Sequence, residues 1–218
     1  MKPHLSPKRN TAMNLFEVGI VIAVVAILAV ILLPVLATNK QKSSKIGCIN
    51  CLKQDLLAIK IWAGDNGDVF PMGISVTNGG AMELVATGNV AATFQVMSNE
   101  LSTPRVLFCS EDKAHFPTNN FGGFSNSNLS YFISADITND LNPQAILIGD
   151  SDLTLGGKLL KPGLTAFWTN DPVAWSTTRH IKSGNIGLAD GSVQSTTSVS
   201  LRTYLQQTGL ATNRFAGP

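Results

Sequence analysis

Residues 18–37 read VGIVIAVVAILAVILLPVLA, and residues 11–17 immediately before them read TAMNLFE. The twenty positions from Val18 to Ala37 carry no charge and are almost all aliphatic. At about 1.5 Å of helical rise each they cover about 30 Å, the hydrocarbon thickness of a bilayer, so a transmembrane helix is expected here. Glu17 stands at its mouth. A carboxylate deep in hydrocarbon costs about 2.5 to 3.5 kcal/mol on insertion scales, so the acid needs a partner. A secretory signal peptide would be shorter and would end at a small-residue cleavage site, which Leu36-Ala37-Thr38 does not supply. Charge alone does not orient the segment, since Lys2, Lys8 and Arg9 before it are answered by Lys40, Lys42 and Lys45 after it.

Beyond the apolar stretch the period stays helical. Ile46, Ile49, Leu52, Leu56, Ile59 and Trp62 recur at three- and four-residue steps with lysines and Asp55 between them, which predicts that one helix continues to about Trp62. Gly64-Asp65-Asn66-Gly67-Asp68 then stops it. The chain has sixteen Lys plus Arg against fourteen Asp plus Glu. Without Lys2, Lys8 and Arg9 the balance is thirteen against fourteen, a net charge of −1, which argues against a nucleic-acid partner.

The rest has the size of one globular core. Residues 74–88 read as irregular with a short helical turn around Glu83. Val90, Phe94, Met97 and Leu101 predict a short amphipathic helix ending before Pro104, and 105–108 predicts a strand. Residues 110–128 read as a surface loop, and 129–134 and 144–149 as strands. Asp190-Gly191 between 185–189 and 192–196 is a type I′ hairpin signal. Ser198 is placed to cap a final helix bearing Val199, Leu201, Tyr204 and Leu205, with Gly209 ending it and a short frayed tail after it.

The three cysteines are Cys48, Cys51 and Cys109. A bond between Cys48 and Cys51, on consecutive turns of one helix, would restrain little. Cys109 bonded to either would close a loop of about 60 residues, worth roughly 3 to 4 kcal/mol in the chain-entropy picture; three reduced thiols are the alternative. Asp65-Asn66-Gly67-Asp68 lacks the spacing and terminal Glu of a calcium loop and reads as a helix stop, and Asp150 with Asp152 is a weaker acidic pair still. No nucleophile elbow, zinc-protease motif or phosphate loop occurs, and His115 and His180 lack metal-ligand spacing, so no catalytic residue, metal or cofactor is expected.

The basic leader, Thr11-Ala12-Met13-Asn14-Leu15-Phe16-Glu17-Val18 and the unbroken apolar helix together resemble the N-terminal signal of type IV prepilins and type II secretion pseudopilins. The resemblance implies cutting by the prepilin peptidase between Ala12 and Met13, where the family prefers Gly and Phe, followed by methylation of the new N-terminus. It makes Glu17 the fifth mature residue and the assembly contact, neutralising the terminal ammonium of a neighbouring pilin-like subunit in a low-dielectric filament core. Pro34 also matches the family's first helix. The implied setting is the inner (cytoplasmic) membrane, crossed once, with the leader in the cytoplasm and the body periplasmic or otherwise extracytoplasmic.

Cys48-Ile49-Asn50-Cys51-Leu52-Lys53-Gln54, the segment from Trp62 to Pro71, Asp150-Ser151-Asp152-Leu153-Thr154, and His180 with Ala189-Asp190-Gly191-Ser192-Val193 look like a large group of bacterial pseudopilin-like proteins. That likeness covers most of the chain. The group's recurrent cysteine falls at Cys48, and Cys51 stands where Asn is usual, so the likeness implies a Cys48–Cys109 bond.

The expected architecture is α+β and pilin-like: a leader at 1–12, a long helix at 13–63 whose part 18–37 is transmembrane, and a globular domain at 64–218 packing a small antiparallel sheet on the helix. The expected function is a structural subunit, not an enzyme, that enters a short filament for secretion or surface structures. The rival is a membrane-tethered periplasmic binding domain that never polymerises, its ligand held by loops 74–88 and 110–128.

Overall fold

The structure, a computed structural model, describes residues 15–180 and 182–218, with residues 33–42 described as backbone. The expected cut between Ala12 and Met13 therefore lies outside the described residues. The chain divides into two units, Met1–Ser43 and Ser44–Pro218. Helix α1 (Leu15–Asp65) contributes to both.

In the first unit, Leu15–Leu32 has a mean hydropathy of 3.0 and none of it is covered by protein. It is long and apolar enough to cross a membrane.

In the second unit α1 is amphipathic. Cys48, Leu52, Leu56, Ile59 and Ala63 are buried at four- and three-residue steps. The stripe is rotated from the predicted one, for Ile46 is exposed and Cys48 takes the inward position. The helix ends as the glycines and asparagine demand: Gly67 (φ 70°) and Asp68 (φ 61°) are left-handed, and the Asp68 and Asn66 amides donate to the Ala63 carbonyl.

The stripe packs on a six-stranded antiparallel sheet built from β1 (Tyr131–Ser134), β2 (Ile146–Asp150), β5 (Gly163–Trp168), β7 (Ser183–Leu188), β8 (Val193–Thr197) and β9 (Thr212–Gly217), in the order β5-β9-β1-β2-β7-β8. A smaller sheet joins β3 (Leu153–Leu155), β4 (Lys158–Leu159) and β6 (Val173–Trp175) in the order β4-β3-β6. Both faces of the large sheet are covered. Tyr131 and Ile133 join the core that includes the α1 stripe, whereas Phe132, Ile186, Leu188 and Phe215 meet Leu201 and Leu205 of α5 (Ser198–Gln207) together with Trp175. The helix lies so close to the sheet that a Cβ on Gly187 would sit 2.7 Å from both Leu56 Cδ1 and Ile148 Cγ2. The α+β class is thus observed.

Several local expectations are corrected. Residues 105–108 form no strand: Pro104–Leu107 is a 3-10 turn, because Pro104 fixes φ at its start and the Thr103 hydroxyl accepts the Arg105 amide at 3.4 Å. The helix predicted over Val90–Leu101 divides into α3 (Val90–Gln95) and α4 (Ser98–Leu101), preceded by α2 (Met82–Ala86). In the β7–β8 hairpin only Gly191 (φ 92°) has positive φ, so the turn is not type I′. The Gly191 amide donates to the Leu188 carbonyl, the Leu188 amide to the Ser192 carbonyl, and the Asp190 carboxylate accepts the Ser192 amide at 2.7 Å. Thr197 rather than Ser198 caps α5, its hydroxyl accepting the Ser200 amide, while Ser198 Oγ accepts the Trp175 amide at 3.0 Å.

The largest correction is the tail. Instead of fraying, β9 fills the gap between β5 and β1. Phe215 stacks on Phe132 at 4.2 Å and meets Phe167 edge-on at 5.1 Å, and the Arg214 side chain and amide both bind Asp136.

Candidate functional site

A polar seam runs between the second half of α1 and the end of the sheet that carries Tyr131, Asp150 and Asn185. Its helix side presents Lys45, Cys48, Cys51 and Asp55, spaced by three and four residues and so on one face. Its sheet side presents the β2 terminus and the segment joining β6 to β7. Tyr131 and Asp150 are cross-strand partners, and Asn185 lies on the neighbouring β7.

Cys48 and Cys109 are joined by a disulfide with Cα atoms 5.3 Å apart. Cys51 is the free thiol, half-buried, and burial with the nearby Asp55 pushes it up to about 11. The disulfide fixes the turn that begins at Cys109, whose carbonyl accepts the Asp112 amide at 2.9 Å. That turn delivers Asp112 into the interior of what sequence reads as a surface loop.

Asp112 is a saturated acceptor. Its Oδ2 accepts from Arg179 Nη2 at 2.5 Å, His115 Nδ1 at 2.7 Å and Ser130 Oγ at 2.8 Å, and its Oδ1 accepts the Ala114 amide at 2.9 Å. Burial opposes the charge, but the His115 contact, Arg179 and the Ser130 and Ala114 donors outweigh it and hold the carboxyl down at about 2. Arg179, itself buried, spends its other donors on the Ser130 carbonyl at 2.6 Å and Ser151 Oγ at 3.1 Å.

Asp150 and Asp152 are less well served. Asp150 Oδ2 accepts the Asn185 amide at 2.7 Å and its side-chain Nδ2 at 3.1 Å, with His180 Nε2 3.6 Å away. Asp152 Oδ2 accepts from Ser176 Oγ at 3.0 Å. The Oδ1 atoms of both are buried with no hydrogen-bond partner among the described residues. Burial pushes both carboxyls up to about 6, and at Asp152 the Asp150 charge adds to it. Burial also lowers His180. Neither oxygen of Asp55 has a hydrogen-bond partner among the described residues, and burial raises it well above the usual carboxylate range.

A cavity of about 610 Å³ opens over this network, floored by Asp112, Ser151, Asp152 and Arg179 and walled on one side by Leu159 and Leu160. A cleft of that volume, largely apolar with a few convergent polar groups, suits a small ligand. Only one edge of it coincides with the expected binding loops, through Asp112 to His115; residues 74–88 take no part.

Among the residues singled out from sequence, Glu17 lies in the first turn of α1, and Cys48 and Cys109 meet. His180 does not stand alone: Cys48, Cys109 and His180 form a group whose ligand atoms lie within 4.8 Å of one another. Asp112 and Arg179 escaped sequence reading altogether. The only signal was indirect, the acidic Asp150–Asp152 phrase and the basic residue beside His180, since a charge burying itself needs an opposite charge. Comparison of the chain with protein-family models, with curated proteins and with solved structures finds no match to any of them.

Proposed function

We propose that the chain is a pilin-like, pseudopilin-like structural subunit rather than an enzyme. In this reading the prepilin peptidase cuts it between Ala12 and Met13, and it stays in the cytoplasmic membrane through the 18–37 helix. Its body lies outside the cytoplasm. There it co-assembles with other pilin-like subunits into a short filament for secretion or surface structures. The observation that carries this reading is α1 itself: Leu15–Leu32 is apolar throughout except for Glu17 in its first turn, and protein covers none of it. A plain anchor gains nothing from that acid, whereas a packed bundle of such helices gains an ion pair in low dielectric. The Cys48–Cys109 disulfide supports an extracytoplasmic body, where such bonds persist.

Two measurements test it. Mass spectrometry of the protein from its native membrane is expected to show a methylated Met13 as the first residue; an intact Met1 would reduce the chain to a tethered domain. Glu17→Ala is expected to leave membrane insertion unchanged while abolishing co-purification of subunits, and unchanged assembly would overturn the filament role.

The cavity over Asp112 and Asp152 favours a second reading, a tethered binding domain that never polymerises. It predicts an uncut chain in which Leu160→Trp, filling the cavity, removes ligand binding and leaves everything else intact.

A further inference from the structure

The filament role uses the disulfide as a staple and gives His180 no task, yet the geometry around these side chains is that of a donor set. Cys48 comes from α1, Cys109 from the turn after the Pro104–Leu107 segment, and His180 from the connection between β6 and β7. One ligand atom of each lies within 4.8 Å of the other two. His180 Nε2 is 3.5 Å from Cys109 Sγ and 3.6 Å from Asp150 Oδ2, and the imidazole is 3 % exposed. The Ser183 hydroxyl donates to the His180 carbonyl and Lys45 Nζ donates to Ser183 Oγ, so the backbone that carries the ring is itself tied to α1. Beside the group, Asp150 Oδ1 is buried without a hydrogen-bond partner among the described residues. Two sulfurs, an imidazole nitrogen and an adjacent carboxylate are the ligand types of tetrahedral zinc.

We propose that Cys48, Cys109 and His180 form a redox-gated zinc site, closed as a disulfide when oxidised and open to one Zn²⁺ through two thiolates and an imidazole when reduced, with Asp150 flanking the fourth position. The gate is balanced with a dithiol as reductant. A thiolate of the dithiol attacks one sulfur of the Cys48–Cys109 bond, and the other cysteine leaves as a thiolate. The second thiol of the reductant then closes its own disulfide, so two electrons have passed to the cysteines. Zn²⁺ binding displaces the thiol protons to solvent. The metal would hold α1, the Cys109 turn and the β6–β7 connection together before the disulfide forms, so the same three segments stay clamped in both redox states. Cys51 lies outside the set and is the free thiol.

The test uses the full chain in detergent with Co²⁺ as an optical probe for zinc. The oxidised protein is expected to give no thiolate-to-cobalt charge-transfer band. After reduction with a phosphine the band should appear, saturate at one equivalent and vanish when Zn²⁺ is added. His180→Ala should weaken Co²⁺ binding at least tenfold, with its fold checked in the oxidised state by the presence of a single titratable thiol. Cys51→Ser should bind as the unaltered chain does. X-ray absorption at the zinc edge of the reduced, unaltered protein should show two sulfur neighbours with nitrogen or oxygen completing the shell, a readout that no variant's folding can confuse. No band in the reduced protein, equal affinity in His180→Ala, loss in Cys51→Ser, or a shell without two sulfurs would overturn the site.

Discussion

Helix α1, which ends on Asp65, carries two further acids, Glu17 and Asp55, in two different surroundings. Glu17 sits in the first turn of a stretch whose every face is apolar and uncovered, and Asp55 sits on the stripe that the sheet covers completely. The difference lies in pattern rather than in hydrophobicity. A helix apolar on all sides offers no preferred face, so its natural surroundings are a solvent of hydrocarbon or a bundle of its own kind. A helix with one apolar stripe is finished by its own chain. The second half of α1 is amphipathic because lysines and Asn50 interrupt the period, and there a disulfide and a glycine of the sheet both meet it.

The largest effect expected from this contrast is at Asp112, which the disulfide-fixed turn holds against Arg179. Asp112→Ala leaves the guanidinium buried and unpaired, and is expected to destabilise the body by about 3 to 5 kcal/mol in denaturant titration. Insertion of 18–37 into membranes should not change. Acid should do gradually what the substitution does at once. The folded carboxyl titrates at about 2 against an ordinary 3.8, so its contribution is complete above about pH 4 and is lost as pH falls through about 2. Asp55, Asp150 and Asp152 are pushed the other way and gain stability over the same range, so the comparison is with Asp112→Ala: equal stability changes between about pH 5 and pH 2 in the two chains would show that the pair does not clamp the turn.

The next effect separates the two halves directly. Leu56 is buried against Gly187 and Ile148, and Leu56→Ala is expected to cost about 2 to 5 kcal/mol of body stability. Val24→Ala removes a similar apolar side chain from the uncovered half, and is expected to leave the unfolding midpoint of the body within error. Equal losses at both positions would mean that the uncovered half is part of the body's core after all.

The same contrast marks how far the residues alone could be read. Periodicity reports what a segment does with its own neighbours, so α1, the β7–β8 hairpin and α5 were legible from spacing and turn residues. What could not be read depends on partners distant in sequence. Residues 212–217 look like a tail because Thr212, Asn213 and Arg214 are polar; their pairing with β5 and β1, the Arg214–Asp136 pair and the Phe215 ring contacts, all formed across the fold, make them an interior strand. Asp112 sits in a polar stretch whose composition says surface, and its burial follows from Arg179, 67 residues on. Three short strands and β5, between residues 153 and 175, lack a clear alternation and take their pairing from β9 and from each other.

The smallest expected effect sharpens the contrast between the two acids most. Asp55 is fully buried, neither of its oxygens has a hydrogen-bond partner among the described residues, and burial raises its carboxyl well above 3.8. Because the folded state holds this proton more tightly than the unfolded chain, its contribution is complete below about pH 4 and is lost as pH rises toward the folded value. Asp55→Asn cannot ionise, but it places an amide where no partner waits, so the two changes offset and the net shift at neutral pH is expected to stay within about 1 kcal/mol. The readout is therefore the slope. Between about pH 4 and pH 7 the variant should lose less stability than the unaltered chain does, and the remaining slope belongs to Asp150 and Asp152, whose carboxyls are also pushed up, to about 6, opposed by His180, which burial lowers. An unchanged slope would mean that Asp55 is solvated when folded, and that the covered half of α1 is less tightly sealed than its stripe of Cys48, Leu52, Leu56 and Ile59 implies.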